Sequence, residues 1–387
     1  ALIVMTKYDL VIIGAGPSGY AAAMRAIDFR KKTLLIERNK VGGAGVTNGA
    51  LSSKTWWELS RETAAFRRNL KRFNIEAPSV NYNEIQAEVK RAVGERKAML
   101  KDHMAQLKDS NYADLLQFKY GSAKLISQHE VEITQGTSKE VVQADYIILA
   151  TGSRPRYLPE LPIDEKIVMT SEGIEDMTDF PESMVIVGAG VIGCEYATIF
   201  SGFGKTKVHL IDKGDQILPF EDDDVVKIIE RNMENHGVLI HRNSKLIRME
   251  IKNGRVEYEL EYNDGGKEVF NVEKALVSVG RIPNYENLWD DNVNININRR
   301  GVEDNDTQTN VSNIYAVGDL TADISLVNVG ELEGRYAVER IFSKPKRKLV
   351  YENISNIMFL SPEVAGVGLN AVSYTHLRAH ETGRNLV

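Results

Sequence analysis

Three glycines near the start of the chain have the spacing of a phosphate-binding turn. Gly14, Gly16 and Gly19 form a GxGxxG pattern, and Glu37 lies 18 residues after the last of them. Such glycines permit a tight turn, let a pyrophosphate approach the backbone and allow a helix to pack closely on a strand, while an acid about 20 residues further on binds a ribose hydroxyl. The chemistry indicated is the binding of a dinucleotide.

The same pattern recurs in the second half of the chain. Gly188, Gly190 and Gly193 repeat the spacing, and Asp212 lies 19 residues after Gly193. A carboxylate at this point accepts hydrogen bonds from a ribose 2′-hydroxyl and repels a 2′-phosphate, so Asp212 favours NAD over NADP. The neighbouring Lys213 weakens that preference. Two complete patterns in one chain predict two dinucleotide sites.

The residues around each glycine turn predict the elements that position it. An apolar strand leads into each turn, a helix follows it, and a second strand ends at the acid. The predicted elements are strands over 9–13, 33–36, 184–187 and 208–211, and helices over 20–29 and from the second turn to about 200. Longer helices over about 52–72 and 83–108 and a buried strand over 141–149 complete the first half. This alternation predicts α/β domains.

The composition is that of an ordinary globular protein, with a length that suggests two or three domains. The chain has 387 residues, of which 43% are hydrophobic and 26% charged, and its formal net charge is −6. It has no wide cluster of Lys and Arg, which argues against a nucleic-acid partner. No apolar run reaches the roughly 18 residues of a membrane span, and no signal-peptide pattern is present. We therefore expect a cytoplasmic protein. Residues 1–4, which precede Met5, look like translated upstream sequence.

Cysteine usage restricts the redox chemistry. Cys194 is the only cysteine in the sequence, so the chain cannot form a disulfide framework, a thiolate metal cluster or an internal dithiol relay. We expect Cys194 to be an inert packed thiol, and we expect no metal site.

Five segments together resemble the flavin-dependent pyridine nucleotide–disulfide oxidoreductases, the family of lipoamide dehydrogenase and glutathione reductase. The segments are GAGPSG at 14–19, ATGSRP at 150–155, GAGVIGCEYA at 188–197, VGRIPN at 279–284 and YAVGDL at 315–320. The resemblance covers Met5 to about Asn370. It implies an α/β protein with two Rossmann-like, doubly wound dinucleotide-binding domains. The implied boundaries are 5–155 and 280–345 for a discontinuous FAD-binding domain, 156–279 for an NAD(P)-binding domain and 350–370 for the start of a truncated α+β dimerisation domain.

By this resemblance, the first glycine pattern with Glu37 holds FAD, and the second with Asp212 holds NAD(H) or NADP(H). Asp319 is implied to bond the ribityl chain of the flavin, and Leu326 with the two residues after it is implied to close over the flavin ring. The other cofactor-binding residues implied are Ala123, Thr151, Gly152, Ile192, Gly280 and Gly318. For Ile192, which would lie near the nicotinamide, an ordinary core isoleucine is the equal alternative.

Lys54 and Glu195 match the family's lysine beside the flavin and the glutamate that pairs with it. A lysine in a largely dry site is costly unless it is paired, and a carboxylate partner would hold it charged where reduced flavin accumulates negative charge. We predict the ammonium and carboxylate within roughly 4 Å of each other. The alternatives are an exposed lysine at a helix start and a glutamate on a helix surface. We interpret Trp56 and Trp57 as helix packing.

The sequence departs from the family where the redox disulfide should be. The segment GGAGVTNGALSSK places Gly45 and Ala50 at the two cysteine positions and Ser52 at the proline position. Neither Gly45 nor Ala50 can form a thiolate, so thiol–disulfide exchange is excluded. Within the family, the segment GAGVIGCEYA followed by IFSG is most similar to the soluble pyridine nucleotide transhydrogenase, which lacks the complete cysteine pair.

The function implied is hydride transfer from nicotinamide C4 to flavin N5 and then to a small diffusible acceptor. Our first choice of acceptor is a second pyridine nucleotide. A quinone or dye reductase is the enzymatic alternative. A redox-inactive flavoprotein that serves as a structural or binding subunit is the alternative from another class.

The end of the chain looks atypical. Residues 351–369 resemble the first strand of the family's interface domain, whereas residues 371–387 look like translated adapter sequence. The full-length protein is expected to be a homodimer, and this truncated chain is expected to have a compromised dimer interface.

Overall fold

The structure is a computed structural model that describes residues 5–321, 323–345 and 347–369; the segment predicted to be adapter sequence and residues 1–4 lie outside the described residues. Up to Arg156 the elements are β1 (Lys7–Ile13), α1 (Pro17–Asp28), β2 (Thr33–Glu37), α2 (Gly43–Val46), α3 (Ala50–Arg72), α4 (Tyr82–Lys108), β3 (Leu116–Tyr120), β4 (Ser122–Leu125), β5 (Glu130–Gln135), β6 (Ser138–Leu149) and β7 (Ser153–Pro155).

The second stretch of the chain, which ends at Val279, alternates strands with two helices. Its elements are β8 (Val168–Met169), β9 (Ser183–Val187), α5 (Val191–Phe203), β10 (Lys207–Ile211), α6 (Asp223–Asn235), β11 (Leu239–His241), β12 (Ser244–Lys252), β13 (Arg255–Tyr262), β14 (Lys267–Val272) and β15 (Lys274–Val277).

The last stretch contributes β16 (Arg281–Pro283), β17 (Ile314–Ala316), α7 (Val327–Phe342), β18 (Asn356–Met358) and β19 (Val364–Gly366). Short 3-10 helices occur at Gly173–Asp176, Asp291–Val293, Gly318–Leu320 and Tyr351–Asn353. Among the described helices, none combines the length and the hydropathy that crossing a bilayer requires.

Contacts divide the chain into two compact units. Of the described residues, the first unit contains those up to Trp56, those in Asn81–Arg156 and those in Gly280–Leu349. The second unit contains Trp57–Val80, Tyr157–Val279 and the described residues from Val350 to Leu369. Trp57–Val80, which the sequence analysis assigned to the first domain, therefore groups with the second unit.

The first unit is built on one mixed sheet with the strand order β3-β2-β1-β6-β5-β4, in which β17 also pairs with β6. Strands β1, β2, β3, β6 and β17 are parallel, and β4 and β5 join antiparallel. The core lies on both faces of β1, because Leu10 and Ile12 pack into one buried cluster while Val11 and Ile13 pack into another. A strand covered on both faces must be apolar throughout, which explains the unbroken run at 10–13.

The second unit contains a parallel sheet with the order β11-β10-β9-β15-β8 and a three-stranded antiparallel sheet, β12-β13-β14. A buried cluster joins Val185, Val187 and Ile211 of the parallel sheet to Val256 and Tyr258 of β13. Both units thus have the Rossmann-like order of strand, helix and parallel strand at their glycine turns, which confirms the predicted fold class.

Candidate dinucleotide-binding sites

The first glycine turn joins β1 to α1, and the structure shows why each glycine is there. Gly14 has φ +106°, and a Cβ on it would lie 2.2 Å from the carbonyl oxygen of Ala150. A Cβ on Gly19 would lie 1.8 Å from the carbonyl oxygen of Gly14. A Cβ on Gly16 would meet no described atom within 4 Å. Gly14 and Gly19 are therefore required by the fold, whereas Gly16 leaves open space for a ligand.

The N-terminus of α1 faces that turn without a competing group. Gly16 is the N-cap residue, no side chain caps the helix, and the first turn carries no acidic residue. The first N–H groups of a helix lack intrahelical partners and carry partial positive charge. This end of α1 is suited to a phosphate.

Glu37 is brought to the glycine turn by β2. Its Oε2 accepts the N–H of Ala15 at 2.8 Å, and its Oε1 accepts the N–H of Asn39 at 2.8 Å. Because each carboxylate oxygen can accept more than one hydrogen bond, the fixed carboxylate retains capacity for ribose hydroxyls.

The second turn, between β9 and α5, repeats this geometry. Gly188 has φ +101° and a Cβ on it would lie 2.6 Å from the carbonyl oxygen of Ser278; a Cβ on Gly193 would lie 1.9 Å from that of Gly188. The space beside Gly190 is again open. Asp212 accepts the N–H of Ala189 at 2.9 Å through Oδ2 and that of Gly214 at 2.9 Å through Oδ1.

The first turn of α5 holds two further residues singled out from the sequence. Ile192 is half-buried. Cys194 is fully buried, with its Sγ 3.4 Å from the carbonyl oxygen of Ala189. Burial raises the pKa of the Cys194 thiol, which disfavours the reactive thiolate. The prediction that this thiol is packed is confirmed, and its inertness stays a prediction.

The end of β6 supplies the next group of predicted cofactor residues. Thr151 donates its hydroxyl to the carbonyl oxygen of Asn284 at 2.7 Å, and the Asn284 amide donates back to the Thr151 carbonyl at 3.0 Å. Gly152 and Gly280 have φ +66° and +99°, and a Cβ on either would meet open space. Ala123, in contrast, lies on β4 and packs against the buried core of the first unit.

Asp319 is held by residues that the sequence analysis did not assign a role. Its Oδ2 accepts the hydroxyl of Ser153 at 2.8 Å, and Arg281 donates to the same hydroxyl oxygen at 2.8 Å. Both residues lie inside the segments that carried the family resemblance, so the signal was present.

The turn that carries Asp319 has a second support in α7. The N–H of Gly318 donates to Glu333 at 2.6 Å, and Glu333 is only 1% exposed. Leu326 is the N-cap residue of α7. No local pattern distinguishes Glu333 from a surface glutamate in the sequence.

Lys54 and Glu195 belong to different units, and their predicted pairing stays a prediction. Lys54 lies on α3 with its Nζ 3.4 Å from the Ser53 hydroxyl. Glu195 lies on α5, is 5% exposed, and accepts the N–H of Phe359 through Oε1 at 3.0 Å. Phe359 could not be singled out from the sequence, because residues 350–370 resemble only the start of a dimerisation domain.

A cleft of about 840 Å³ adjoins the first glycine turn in the first unit. Apolar residues from α1, α4 and α7 form much of its wall, and Gly16 and Gly45 lie on its lining. Its charged residues are Arg25, Arg30, Arg96 and Arg335 against Asp28 and Glu331. The cleft is therefore locally positive in a chain whose net charge is −6.

The predicted cysteine position at Gly45 offers no room for a side chain. A Cβ on Gly45 would lie 2.5 Å from Cγ of Pro17. Within the described ranges, no group of three or more His, Cys, Asp or Glu residues is arranged to hold a metal ion.

Comparisons with known proteins place this geometry in context. The family model described as pyridine nucleotide-disulphide oxidoreductase matches residues 8–334. A dihydrolipoyl dehydrogenase of Bacillus subtilis is 32% identical over 372 residues, which cover 94% of this chain and 78% of that protein. A soluble pyridine nucleotide transhydrogenase of Pseudomonas paraeruginosa is 31% identical over 384 residues, which cover 98% of this chain and 80% of that protein.

A solved structure has the same fold over most of the chain. The crystal structure of LpdA from Mycobacterium tuberculosis aligns with a TM-score of 0.84 and 26% sequence identity, covering 97% of this chain and 80% of LpdA. Overall identity does not separate the two activities named among the relatives, since their values differ by one percentage point.

Proposed function

We propose that this chain, which belongs to the pyridine nucleotide-disulphide oxidoreductase family, is an FAD-dependent enzyme that passes a hydride from NAD(P)H through the flavin to a diffusible acceptor. The observation that carries the proposal is the combination of two open glycine turns, each with its acid in place, and a segment at 45–50 that has no cysteine.

The residues of the first unit fit FAD. The open space at Gly16 and the N-terminus of α1 would hold the pyrophosphate, Glu37 would bind the adenosine ribose, and Asp319 would bind the ribityl chain. The second turn, with Gly190 and Asp212, would hold the nicotinamide nucleotide in the same way. When bound, FAD supplies a ring that takes up two electrons as a hydride from reduced nicotinamide.

The protein's own residues orient these groups and place charge. Two backbone N–H groups hold each acid in position, so neither Glu37 nor Asp212 has to reorganise when a ribose arrives. Lys54 and Glu195 are proposed to place a positive charge beside the flavin, where negative charge develops.

The acceptor must take electrons without the help of protein sulfur. Thiol–disulfide exchange requires an accessible thiolate, and Cys194 is buried, which raises the pKa of its thiol. A second pyridine nucleotide is our first choice of acceptor, because the segment at 45–50 has no cysteine and a soluble pyridine nucleotide transhydrogenase is among the relatives. Transhydrogenation is therefore proposed, with a quinone or dye reductase as the alternative.

A comparison of acceptors tests this assignment. The flavin-loaded chain is assayed with NADH and an NADP analogue, with NADH and a quinone, and with dihydrolipoamide and NAD. We expect reduction of the NADP analogue and no oxidation of dihydrolipoamide. Much faster turnover with the quinone would show that the enzyme is a quinone reductase and not a transhydrogenase. Oxidation of dihydrolipoamide would overturn the exclusion of disulfide chemistry. We also propose, from the family, that the enzyme is a homodimer.

A further inference from the structure

The Glu195 carboxylate is held by a backbone group from the segment that follows β18. Glu195 is 5% exposed, and its Oε1 accepts the N–H of Phe359 at 3.0 Å. The oxygens of a buried carboxylate have no hydrogen bonds from water, so donors from the protein must replace them and orient the group. The Phe359 N–H therefore helps to orient the Glu195 carboxylate.

Trp57 clamps that peptide from α3. Its indole Nε1–H donates to the carbonyl oxygen of Leu360 at 3.2 Å, and its ring meets the Phe359 ring edge to face at a centroid distance of 5.2 Å. Trp57 is 5% exposed and Leu360 1% exposed, so water does not replace either contact. A more exposed tether follows, in which the Asn232 amide donates to the Ser361 carbonyl at 2.7 Å.

Both contacts lie at or after Phe359 in the chain. The ring contact restrains the Phe359 side chain, and the indole hydrogen bond restrains the carbonyl group of Leu360. A tryptophan side chain has both a rigid aromatic ring and an N–H donor of fixed direction. A phenylalanine side chain has the ring and no donor. The Trp57 side chain therefore does more than fill a helix interface.

We propose that Trp57 is a positioning residue for Glu195, acting through the Phe359–Leu360 backbone. The proposal rests on the proposed function, because it takes Glu195 to assist reduction of the flavin by NAD(P)H. The role of Glu195 in flavin reduction would then depend on the packing of residues 356–361 against Trp57, although the sequence predicts only a dimerisation role for this segment.

The test measures, by anaerobic stopped flow, how fast NADH reduces the flavin in the wild type and in Trp57→Phe. This change keeps an aromatic ring and removes the donor. We expect the limiting rate constant to fall about tenfold, within the range that misplacement of an orienting group produces. The NADH concentration that gives half the limiting rate should change little. Phe359→Leu, which keeps its N–H, should show a smaller fall in the same direction.

Two comparisons separate positioning from a merely structural effect. Trp56→Phe, a change of the neighbouring buried tryptophan, should leave the rate constant of the flavin-loaded protein unchanged. In a Glu195→Gln background, Trp57→Phe should have much less effect than in the wild type, because the two changes act on one group.

Three outcomes would overturn the proposal. The first is an unchanged rate constant in both Trp57→Phe and Phe359→Leu. The second is a loss in Trp57→Phe that persists in full in the Glu195→Gln background. The third is a wild-type flavin that NADH does not reduce, which removes the proposed function itself and is thereby distinguishable from the other two.

Discussion

Gly16 and Gly19 are three residues apart, and the structure assigns them different tasks. A Cβ on Gly19 collides with backbone, whereas a Cβ on Gly16 meets only open space. Gly19→Ala is expected to destabilise the first unit by more than 2 kcal/mol or to prevent folding, since backbone atoms cannot yield as a side chain does. Gly16→Ala is expected to fold normally and to lose flavin, because its methyl group occupies the space proposed for the pyrophosphate.

Thermal unfolding of the flavin-free protein and the flavin content after reconstitution measure the two effects separately. Equal unfolding temperatures for the wild type and Gly16→Ala, with a large loss of bound flavin in the variant, are expected. Full flavin content in Gly16→Ala would show that the open space beside Gly16 is not the pyrophosphate site.

We propose that Asp212 governs the choice between NADH and NADPH. Asp212→Asn removes the charge that repels a 2′-phosphate, and it can keep only one of the two backbone hydrogen bonds. The ratio of kcat/KM for NADPH to that for NADH is expected to rise about tenfold, the effect of about 1.4 kcal/mol of lost repulsion. Asp215→Asn, which changes an exposed carboxylate in the same loop, is the control. An unchanged ratio in Asp212→Asn would exclude Asp212 from the ribose site.

The spacing of residues in the sequence was enough to predict the positions of the two acids, but not the partners of Asp319 and Glu195. The structure places Glu37 and Asp212 beside their turns, because a strand–helix–strand unit fixes the distance from turn to acid. The partners of Asp319 and Glu195 could not be found in this way, since Ser153 and Phe359 lie 166 and 164 residues away along the chain.

At the scale of elements, a hydrogen-bonded chain of histidines and tyrosines joins the two sheets of the second unit. His209 on β10 contacts His241 on β11 at 3.3 Å between ring nitrogens and contacts the Tyr258 hydroxyl on β13 at 3.0 Å. The Tyr262 hydroxyl contacts His241 at 2.9 Å and donates to Glu268 at 3.3 Å.

We expect this cluster to make the second unit sensitive to acid. Burial first, and then the neighbouring His241 and Lys207, lower the pKa of His209 to about 4, and burial also lowers the pKa of His241 against the opposing effect of Glu268. Because an unfolded histidine titrates near 6.5, the unfolded state binds more protons below that pH. The contribution to stability is present above about pH 6.5 and is lost as the pH falls towards about 4.

We expect the amides of β10 and β11 to lose about 2 kcal/mol of hydrogen-exchange protection between neutral pH and about pH 4.5. His209→Gln should reduce that dependence, and His236→Gln, a change of an exposed histidine, should not. The same acid sensitivity in wild type and His209→Gln would remove the cluster as its cause.

The elements themselves were largely predictable from hydrophobic pattern, and their ends were not. The predicted helix over 20–29 begins at Pro17, because proline is accommodated in the first turn of a helix. The predicted helix ending near 200 continues to Phe203, where Gly204 ends it in the left-handed conformation.

At the scale of the whole molecule, the two glycine motifs predicted two dinucleotide-binding folds, and the family match supports both. The grouping of Trp57–Val80 with the second unit was not predictable, because long-range contacts decide it. Ser60 donates to the Ile199 carbonyl at 2.7 Å, and Arg67 donates to the Phe203 carbonyl at 2.9 Å. Neither contact leaves a signal in the local sequence.

The most direct test of the account is the addition of NADH to the flavin-loaded chain without oxygen and without any other acceptor. One equivalent of NADH is expected to bleach the visible absorbance of the flavin, and addition of the acceptor is expected to restore it. A flavin that stays yellow in excess NADH would contradict the account and would leave a redox-inactive flavoprotein in its place.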